Sequence, residues 1–446
     1  MSMKEKISDI FQKIRHILNP KSEWDENPVY SSILNLSDGN PHRFHLRILN
    51  DYTGILTVDA SFILYLNQTA AIYIQQWISG KELESIKEYF VEEFKIDGET
   101  ITKDFESIKT NLENLLTQVD INPVQLGFHT IDASKRVHEI PLRVYLALTY
   151  KFNETGPSPY SSYSGDVESK GIYLQKSILE KLNEFGVPQV TLSGGEPTLK
   201  KGFDELIEYG EEKGIVMGLM TNGVLFQDNE QVKKVIQQGL DYVIIPFHTS
   251  DRSLYEKITG RKDLEEKIQA IVNFEQDDIY LETKTTLLND TKDTILETIE
   301  YLYKELKVEN IEVNGLINPP GNPSYENGID VDEVKTIVKN LKIMSDEMGF
   351  NFSFTSPTSH PQFNPLDYEL GLTNTHPANT SITIEPNGSV LPVQFYFHSP
   401  GNILKDRWSK IWYSPQFRKI RKKRINITGK EKDLLTFCGG GIPFNL

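Results

Sequence analysis

Between Leu142 and Phe354 the sequence alternates short apolar runs with amphipathic segments, and this alternation constrains the fold more tightly than anything else in the chain. The runs at 142–149, 188–192, 215–220, 242–247, 279–287 and 309–317 have the continuous hydrophobicity of strands buried on both faces. Helical periodicity lies between them near 171–185, 202–213, 228–238, 262–275 and 291–306, and again at 331–348. Strand–helix units in succession predict an α/β fold with a parallel sheet, here a partial (βα)6 TIM-like barrel. In such a sheet the functional loops follow the C-terminal ends of the strands.

The flanks read differently. Residues 1–20 carry the helical stripe Ile7, Ile10, Phe11, Ile14, Ile17 and Leu18, closed by Asn19-Pro20. Strand candidates at Gly54–Val58 and Ser61–Leu66 precede helices at Gln68–Ile78, Leu83–Phe94 and about Asp104–Gln118, with Asn67 as a cap and Gly80 as a stop. Two strands followed by three short helices is a winged-helix-like arrangement. It has no basic recognition helix, which argues against DNA reading. The segment 154–170 is a Gly/Ser/Pro-rich loop, and Pro386-Asn387-Gly388 predicts a hairpin over 381–397. The expected division is 1–33 for an N-terminal amphipathic helix and extension, 34–125 for the winged-helix-like module, 140–350 for the barrel, and 351–446 for an irregular α+β extension.

A net charge of −16 argues against nucleic acid as the main partner, because phosphate binding needs a basic face. One segment runs the other way: Lys405–Arg424 holds nine basic residues against the single acid Asp406. This is either a solvated basic face or a contact surface for an acidic partner. No stretch of about 18 apolar residues occurs and no secretory signal is visible, so the expectation is a cytoplasmic protein with no membrane-surface role. His42 and His45 form an H-x-x-H pair that alternation along a strand explains without metal, and no metal ligands are assigned.

The sharpest local motif is Ser193-Gly194-Gly195-Glu196-Pro197-Thr198, directly after the second apolar run. Two glycines allow close backbone approach to a ligand and expose N–H groups, and Glu196 can accept a hydrogen bond from an ammonium group. Thr221-Asn222-Gly223, His248-Thr249-Ser250, Thr285-Thr286 and Asn314-Gly315 follow at the ends of later strands. Polar residues gathered at one end of a barrel mark a candidate ligand site. The candidate cofactor-binding set is therefore Gly194, Gly195, Glu196, Pro197, Thr198, Asn222, His248 and Thr285, with no catalytic residue assigned.

On these residues, 140–350 resembles the radical S-adenosylmethionine (SAM) superfamily, whose GGEP motif contacts the methionyl amino group of SAM. The resemblance implies a CxxxCxxC loop after the first strand. The corresponding stretch is Thr149-Tyr150-Lys151-Phe152-Asn153-Glu154-Thr155-Gly156-Pro157-Ser158-Pro159-Tyr160. Thr149, Asn153, Pro157 and Tyr160 match the family, but the three ligand positions hold Phe152, Gly156 and Pro159. Three thiolates hold a [4Fe–4S] cluster and leave one iron open for SAM, whereas these side chains offer no lone pair to iron. The family's Ser-x-Asp ribose contact aligns with Pro246-Phe247-His248, where His248 can still donate a hydrogen bond.

The C-terminal segment resembles the SPASM extension, which holds auxiliary iron–sulfur clusters. The framing Ile384-Glu385-Pro386-Asn387-Gly388, Pro400-Gly401-Asn402-Ile403 and Ile411-Trp412 is present. The ligand positions align with His376, Val393, Gly429, Lys432, Cys438 and Ile442, of which only Cys438 is cysteine. Residues 52–118, most clearly Leu64–Ala71, resemble the PqqD-like peptide-binding module of the pyrroloquinoline quinone pathway. In that module a leader peptide adds a strand to a sheet edge, which places the edge near Gly54–Val58.

The leading expectation is a cluster-less pseudoenzyme that binds a peptide, or a catalytic radical SAM partner, in a peptide-modification pathway. SAM binding through Gly194–Thr198 stays open, and the iron–sulfur cluster of the family is expected to be absent. The alternative is a SAM-dependent enzyme retaining catalysis through a non-standard site built on Glu196, His248 and Thr285. A carboxylate and an imidazole are able to serve as acid and base.

Overall fold

A computed structural model describes residues 29–49, 51–60, 62–117, 138–151, 171–277, 279–315, 317–318, 328–355, 378–392 and 398–422. The expected N-terminal helix at 1–20 and the loop 154–170 lie outside the described residues. The chain divides into two compact units: residues 1–136 with the short segments 182–188 and 214–216, and the remainder.

The first unit contains a four-stranded antiparallel sheet of β1 (Val29–Asn35), β2 (Pro41–Ile48), β3 (Gly54–Val58) and β4 (Phe62–Leu66), hydrogen-bonded in that order. Three helices follow: α1 (Gln68–Ile78), α2 (Leu83–Phe94) and α3 (Gly98–Thr117). The Asn67 side chain accepts from Ala70 N at 2.9 Å and caps α1 as expected. The third helix begins six residues before its expected start because the Asp97 carboxylate accepts from Thr100 N at 3.1 Å. Phe44, Leu46, Leu56, Val58 and Leu64 of the sheet pack with Ile74 and Leu112 of the helices into one apolar core.

Two expectations are corrected here. The sheet has four strands, not two, and Gly54–Val58 pairs on both sides, with β2 and with β4. It is therefore an interior strand, and the sheet edges are β1 and β4. β2 escapes a reading by apolar runs because Arg43, His45 and Arg47 interrupt Phe44, Leu46 and Ile48. The same alternation sends His42 and His45, an odd number of residues apart, to opposite faces. His42 instead joins Asp59 Oδ2 at 2.6 Å and Asp38 Oδ2 at 3.1 Å.

The second unit is built on a nine-stranded sheet. Its strands are β5 (Arg143–Thr149), β6 (Gln189–Gly194), β7 (Val216–Met220), β8 (Leu240–Pro246), β9 (Tyr280–Leu287), β10 (Asn310–Gly315), β13 (Asn351–Thr355), β14 (Ser381–Ile384) and β15 (Val390–Leu391). The strands β5 to β10 lie side by side in sequence order, β13 continues beyond β10, and β14 pairs parallel to β5. A minor parallel pair, β11 (Ile317–Asn318) and β12 (Ile329–Asp330), stands apart. The helices are α4 (Tyr173–Glu184), α5 (Phe203–Glu212), α6 (Asn229–Gln237), α7 (Arg252–Thr259), α8 (Leu264–Glu275), α9 (Ile295–Lys304), α10 (Val331–Met348), α11 (Trp408–Trp412) and α12 (Pro415–Lys422). The unexpected α7 starts where Asp251 accepts from Leu254 N at 2.6 Å.

The hairpin expected around Pro386-Asn387-Gly388 is present as β14–β15, and its first strand joins the main sheet. β14 lengthens the main sheet along β5, with Ser381 opposite Arg143 and Ile384 opposite Leu146. Indole donors hold this region in place: Trp412 Nε1 donates to His138 O at 2.7 Å and Trp408 Nε1 to Glu139 O at 2.9 Å.

The sheet is apolar on one face only. Val144, Leu146, Val190, Leu192, Val243, Ile245, Ile311 and Val313 are buried on that face. The alternate positions carry polar groups that bond to one another. Arg143 Nε donates to Gln189 Oε1 at 2.8 Å, Thr191 Oγ1 and Tyr242 OH lie 2.5 Å apart, and Lys284 Nζ meets Glu312 Oε1 at 2.8 Å. Burial of the Lys284–Glu312 pair requires that both charges be matched in place, since either alone would be costly.

Candidate functional site at the strand ends

The motif 193–198 begins where β6 ends. Gly195 N donates to Thr149 O at 2.7 Å and Glu196 N to Lys151 O at 2.8 Å. Both glycines are required by this seam. A Cβ on Gly194, whose φ is +116°, would lie 2.3 Å from Thr149 O, and one on Gly195 would lie 2.2 Å from Lys151 O. The close approach predicted from the two glycines is therefore an approach to the end of β5, and the N–H groups of Gly195 and Glu196 are engaged there instead of facing a ligand.

Glu196 is the centre of the cluster. Its Oε1 accepts from Thr198 N at 3.1 Å, Thr198 Oγ1 at 2.7 Å and Thr221 Oγ1 at 2.8 Å, while Oε2 accepts from Asn222 N at 2.8 Å. Pro197 opens the short 3-10 turn that Glu196 caps. Burial pushes the carboxyl upward in pKa, and these donors pull it back. Each carboxylate oxygen has about two acceptor positions; Oε1 takes three donors and Oε2 one, so the remaining capacity lies on Oε2. The Asn222 side chain is turned to its own loop, where Oδ1 accepts from Val224 N at 2.9 Å.

A second group forms around the end of β8. Thr285 Oγ1 donates to Phe247 O at 2.7 Å, so its hydroxyl is committed to backbone. His248 is buried, and its Nδ1 has no hydrogen-bond partner among the described residues. Burial, then the Lys267 and Arg261 cations, pushes the imidazole down to about 3. The bonds thus gather Glu196, Thr198, Thr221 and Asn222 into one group and tie Thr285 to the chain beside His248 in another.

Two residues outside the candidate set stand at the same strand ends. Tyr150 OH donates to Glu385 Oε1 at 3.2 Å, and Glu385 is buried at the end of β14. Gln175 Nε2 donates to Pro386 O at 3.0 Å, tying α4 to the same turn. An acid between apolar Ile384 and Pro386 is the sequence signal that could have drawn attention to Glu385.

His248 carries a pH prediction. A neutral imidazole in the fold, against an ordinary value near 6.5 in the unfolded chain, means that the unfolded chain binds the extra proton as pH falls. Its contribution is complete above pH ~6.5 and is lost downward toward about 3, at about 1.4 kcal/mol per pH unit. Relative to His248→Asn, the protein should lose about 2 kcal/mol between pH ~6.5 and pH ~5. Urea midpoints at the two pH values measure this; parallel pH dependence in both proteins would contradict it.

The positions aligned with cluster ligands, Phe152, Gly156, Pro159, His376, Val393, Gly429, Lys432, Cys438 and Ile442, lie outside the described residues. Their side-chain chemistry is nevertheless fixed by the sequence. With one cysteine in the chain, the thiolate set of a [4Fe–4S] cluster is not supplied, and the donor set does not fit that group. Among the described residues no cluster of His, Cys, Asp and Glu is arranged to hold a metal ion, and no helix is long and apolar enough to cross a membrane.

Comparison with known proteins gives this arrangement a context. Residues 165–302 match the radical SAM superfamily, and 377–439 match the SPASM iron–sulfur cluster-binding domain. The chain is 28% identical over 185 residues to the PqqA peptide cyclase of Bradyrhizobium diazoefficiens, covering 40% of this chain and 48% of the relative. It is 28% identical over 274 residues to the GTP 3',8-cyclase of Clostridium perfringens, covering 57% and 81%. The chain spans about half the length of the first of these relatives. Among solved structures, Streptococcus suis SuiB bound to its precursor peptide SuiA matches with a TM-score of 0.62 at 18% identity, over 92% of this chain and 95% of SuiB. SuiB bound to S-adenosylmethionine matches with a TM-score of 0.61, also at 18% identity, over 89% and 94%. That likeness is one of fold: an α/β protein with a parallel sheet. The chain carries a radical SAM domain and a SPASM domain.

Proposed function

We propose that this chain is a cluster-less pseudoenzyme of the radical SAM/SPASM type that binds a peptide, or a catalytic radical SAM enzyme, in a peptide-modification pathway. The observation that carries this reading is the replacement of eight of nine aligned cluster ligands by non-cysteine residues, in two separate regions of a chain with one cysteine. A peptide partner is supported by the company the chain keeps: PqqA peptide cyclase among the relatives, and SuiB solved with its precursor peptide. In this reading 34–125 is a PqqD-like winged-helix module, 140–350 a partial (βα)6 barrel and 351–446 a SPASM-like extension. A leader peptide would extend the module's sheet at β1 or β4, its two edges. A cytoplasmic location belongs to the same reading.

SAM binding without cleavage fits what remains of the site. Glu196 Oε2, which accepts only from Asn222 N, would take the methionyl ammonium group, while the seam at Gly194 and Gly195 would position that carboxylate and not itself donate to the ligand. The second reading, a SAM-dependent enzyme with a non-standard site, is favoured by one feature, the buried and unpartnered His248 Nδ1.

Anaerobic reconstitution with iron and sulfide, followed by iron analysis and assay of SAM-derived products, tests both. The expected result is near-zero iron and no 5′-deoxyadenosine. About four irons per chain would overturn the pseudoenzyme reading. SAM turnover without iron would establish the second reading.

A further inference from the structure

The basic segment at 405–424 is left over by this account. With nine basic residues and one acidic it carries +8, so the rest of the chain carries −24 of the −16 total. Among the described residues, Lys405, Arg407, Lys410, Arg418 and Lys419 are exposed, whereas Arg421 packs over the Trp412 ring. In α11 and α12 the apolar side chains Trp408, Ile411, Trp412, Phe417 and Ile420 are buried, which commits the opposite sides of both helices to solvent. Lys405, Arg407, Arg418 and Lys419 are exposed, and none of them has an ion-pair partner among the described residues. Lys410 is the exception, paired with Asp406 at 2.6 Å. Two large exposed side chains neighbour these cations: Leu404, 36% exposed, precedes Lys405 in the chain, and Tyr413, 43% exposed, lies within electrostatic reach of Arg418.

We propose that this face docks a short acidic peptide segment. Unpaired cations beside an exposed tyrosine and leucine have the composition of a protein-recognition surface, where Arg and Tyr are enriched. A long polyanion is disfavoured. A nucleic acid or an anionic membrane carries many charges and is repelled by the net charge of −16, whereas screening at about 8 Å in physiological salt confines a short segment to its nearest partners. A segment of a few acidic residues stays within the patch and is steered to it by the same field. The proposal deepens the partner-binding reading and rests on it, but its test measures binding alone and is independent of iron loading.

The test is fluorescence anisotropy with labelled octaglutamate on the full chain at low salt, alongside Arg407→Glu/Arg418→Glu/Lys419→Glu and the neutral Arg407→Gln/Arg418→Gln/Lys419→Gln. Binding by the wild type is expected, weakened at least about tenfold by the reversal and to an intermediate degree by the neutral variant. In the wild type it should also weaken steeply between about 0.05 and 0.5 M salt. Unchanged affinity in both variants would overturn the proposal. So would tighter binding of a short DNA duplex or of phosphatidylserine vesicles than of the peptide.

Discussion

Alanine at Gly195 is expected to destabilise the protein by about 4 kcal/mol or more and to scatter the donors around Glu196. The added Cβ would stand 2.2 Å from Lys151 O and 2.9 Å from the carbonyl carbons of Lys151 and Tyr150. All three are backbone atoms, so no side chain is able to swing away. Relief requires the end of β5 to part from the end of β6. That separation stretches the bonds from Gly195 N to Thr149 O and from Glu196 N to Lys151 O, now 2.7 and 2.8 Å. Each bond contributes about 1 kcal/mol, overpacking a buried seam costs about 1–3 kcal/mol, and a displaced buried carboxylate loses donors worth about 1–3 kcal/mol. The urea midpoint gives the total, and amide exchange at Asn222, whose N–H donates to Glu196 Oε2, reports on the cluster itself. Glu196→Gln keeps the shape and leaves the seam intact, so it should cost less than Gly195→Ala. A loss below about 1 kcal/mol for the alanine variant would mean that the seam yields, and the glycines would then be free to serve a ligand as the sequence suggests.

What was legible beforehand follows the range of the interactions. The apolar run at 279–287 anticipates β9 to within one residue, and the helices at Gln68–Ile78 and Leu83–Phe94 have the expected ends. Periodicity, caps and glycine stops are local, and local signals are written in consecutive residues. β2 was not legible because Arg and His on alternate positions leave no apolar run, and in β1 Ser31 and Ser32 interrupt the apolar residues. The candidate site divides in the same way. The grouping of Glu196 with Thr198, two residues on, can be read from the motif. The acceptors of the Gly195 and Glu196 N–H groups cannot, because Thr149 and Lys151 lie across the β5–β6 pairing, more than forty residues back in the chain. Nor can the bond from His138 N to Asn379 Oδ1, with a sequence separation of 241. A motif states which groups are available; parallel pairing decides which of them the protein has already used.

The same long-range bonding makes Trp412 the position where the C-terminal region is most vulnerable. Trp412 is fully buried, stacked on Trp408 with ring centroids 5.0 Å apart, and covered by the Arg421 guanidinium 4.1 Å from its ring. Its indole N–H fills His138 O just ahead of β5, and the Leu142 and Arg143 N–H groups donate to Thr380 O just ahead of β14. Trp412→Ala should therefore cost about 3–5 kcal/mol, because it opens a large cavity and strands the His138 carbonyl at once. Trp412→Phe keeps most of the ring and loses only the donor, so about 1 kcal/mol is expected. These contacts are apolar, aromatic and hydrogen-bonded, and none involves a metal ligand. On the proposed cluster-less reading the two tryptophans and Arg421 hold this region without iron, so treatment with a chelator should leave the melting temperature of the wild type unchanged while Trp412→Ala lowers it. If Trp412→Ala costs less than about 1 kcal/mol, or if chelation destabilises the wild type, the aromatic clasp is not what keeps β14 beside β5.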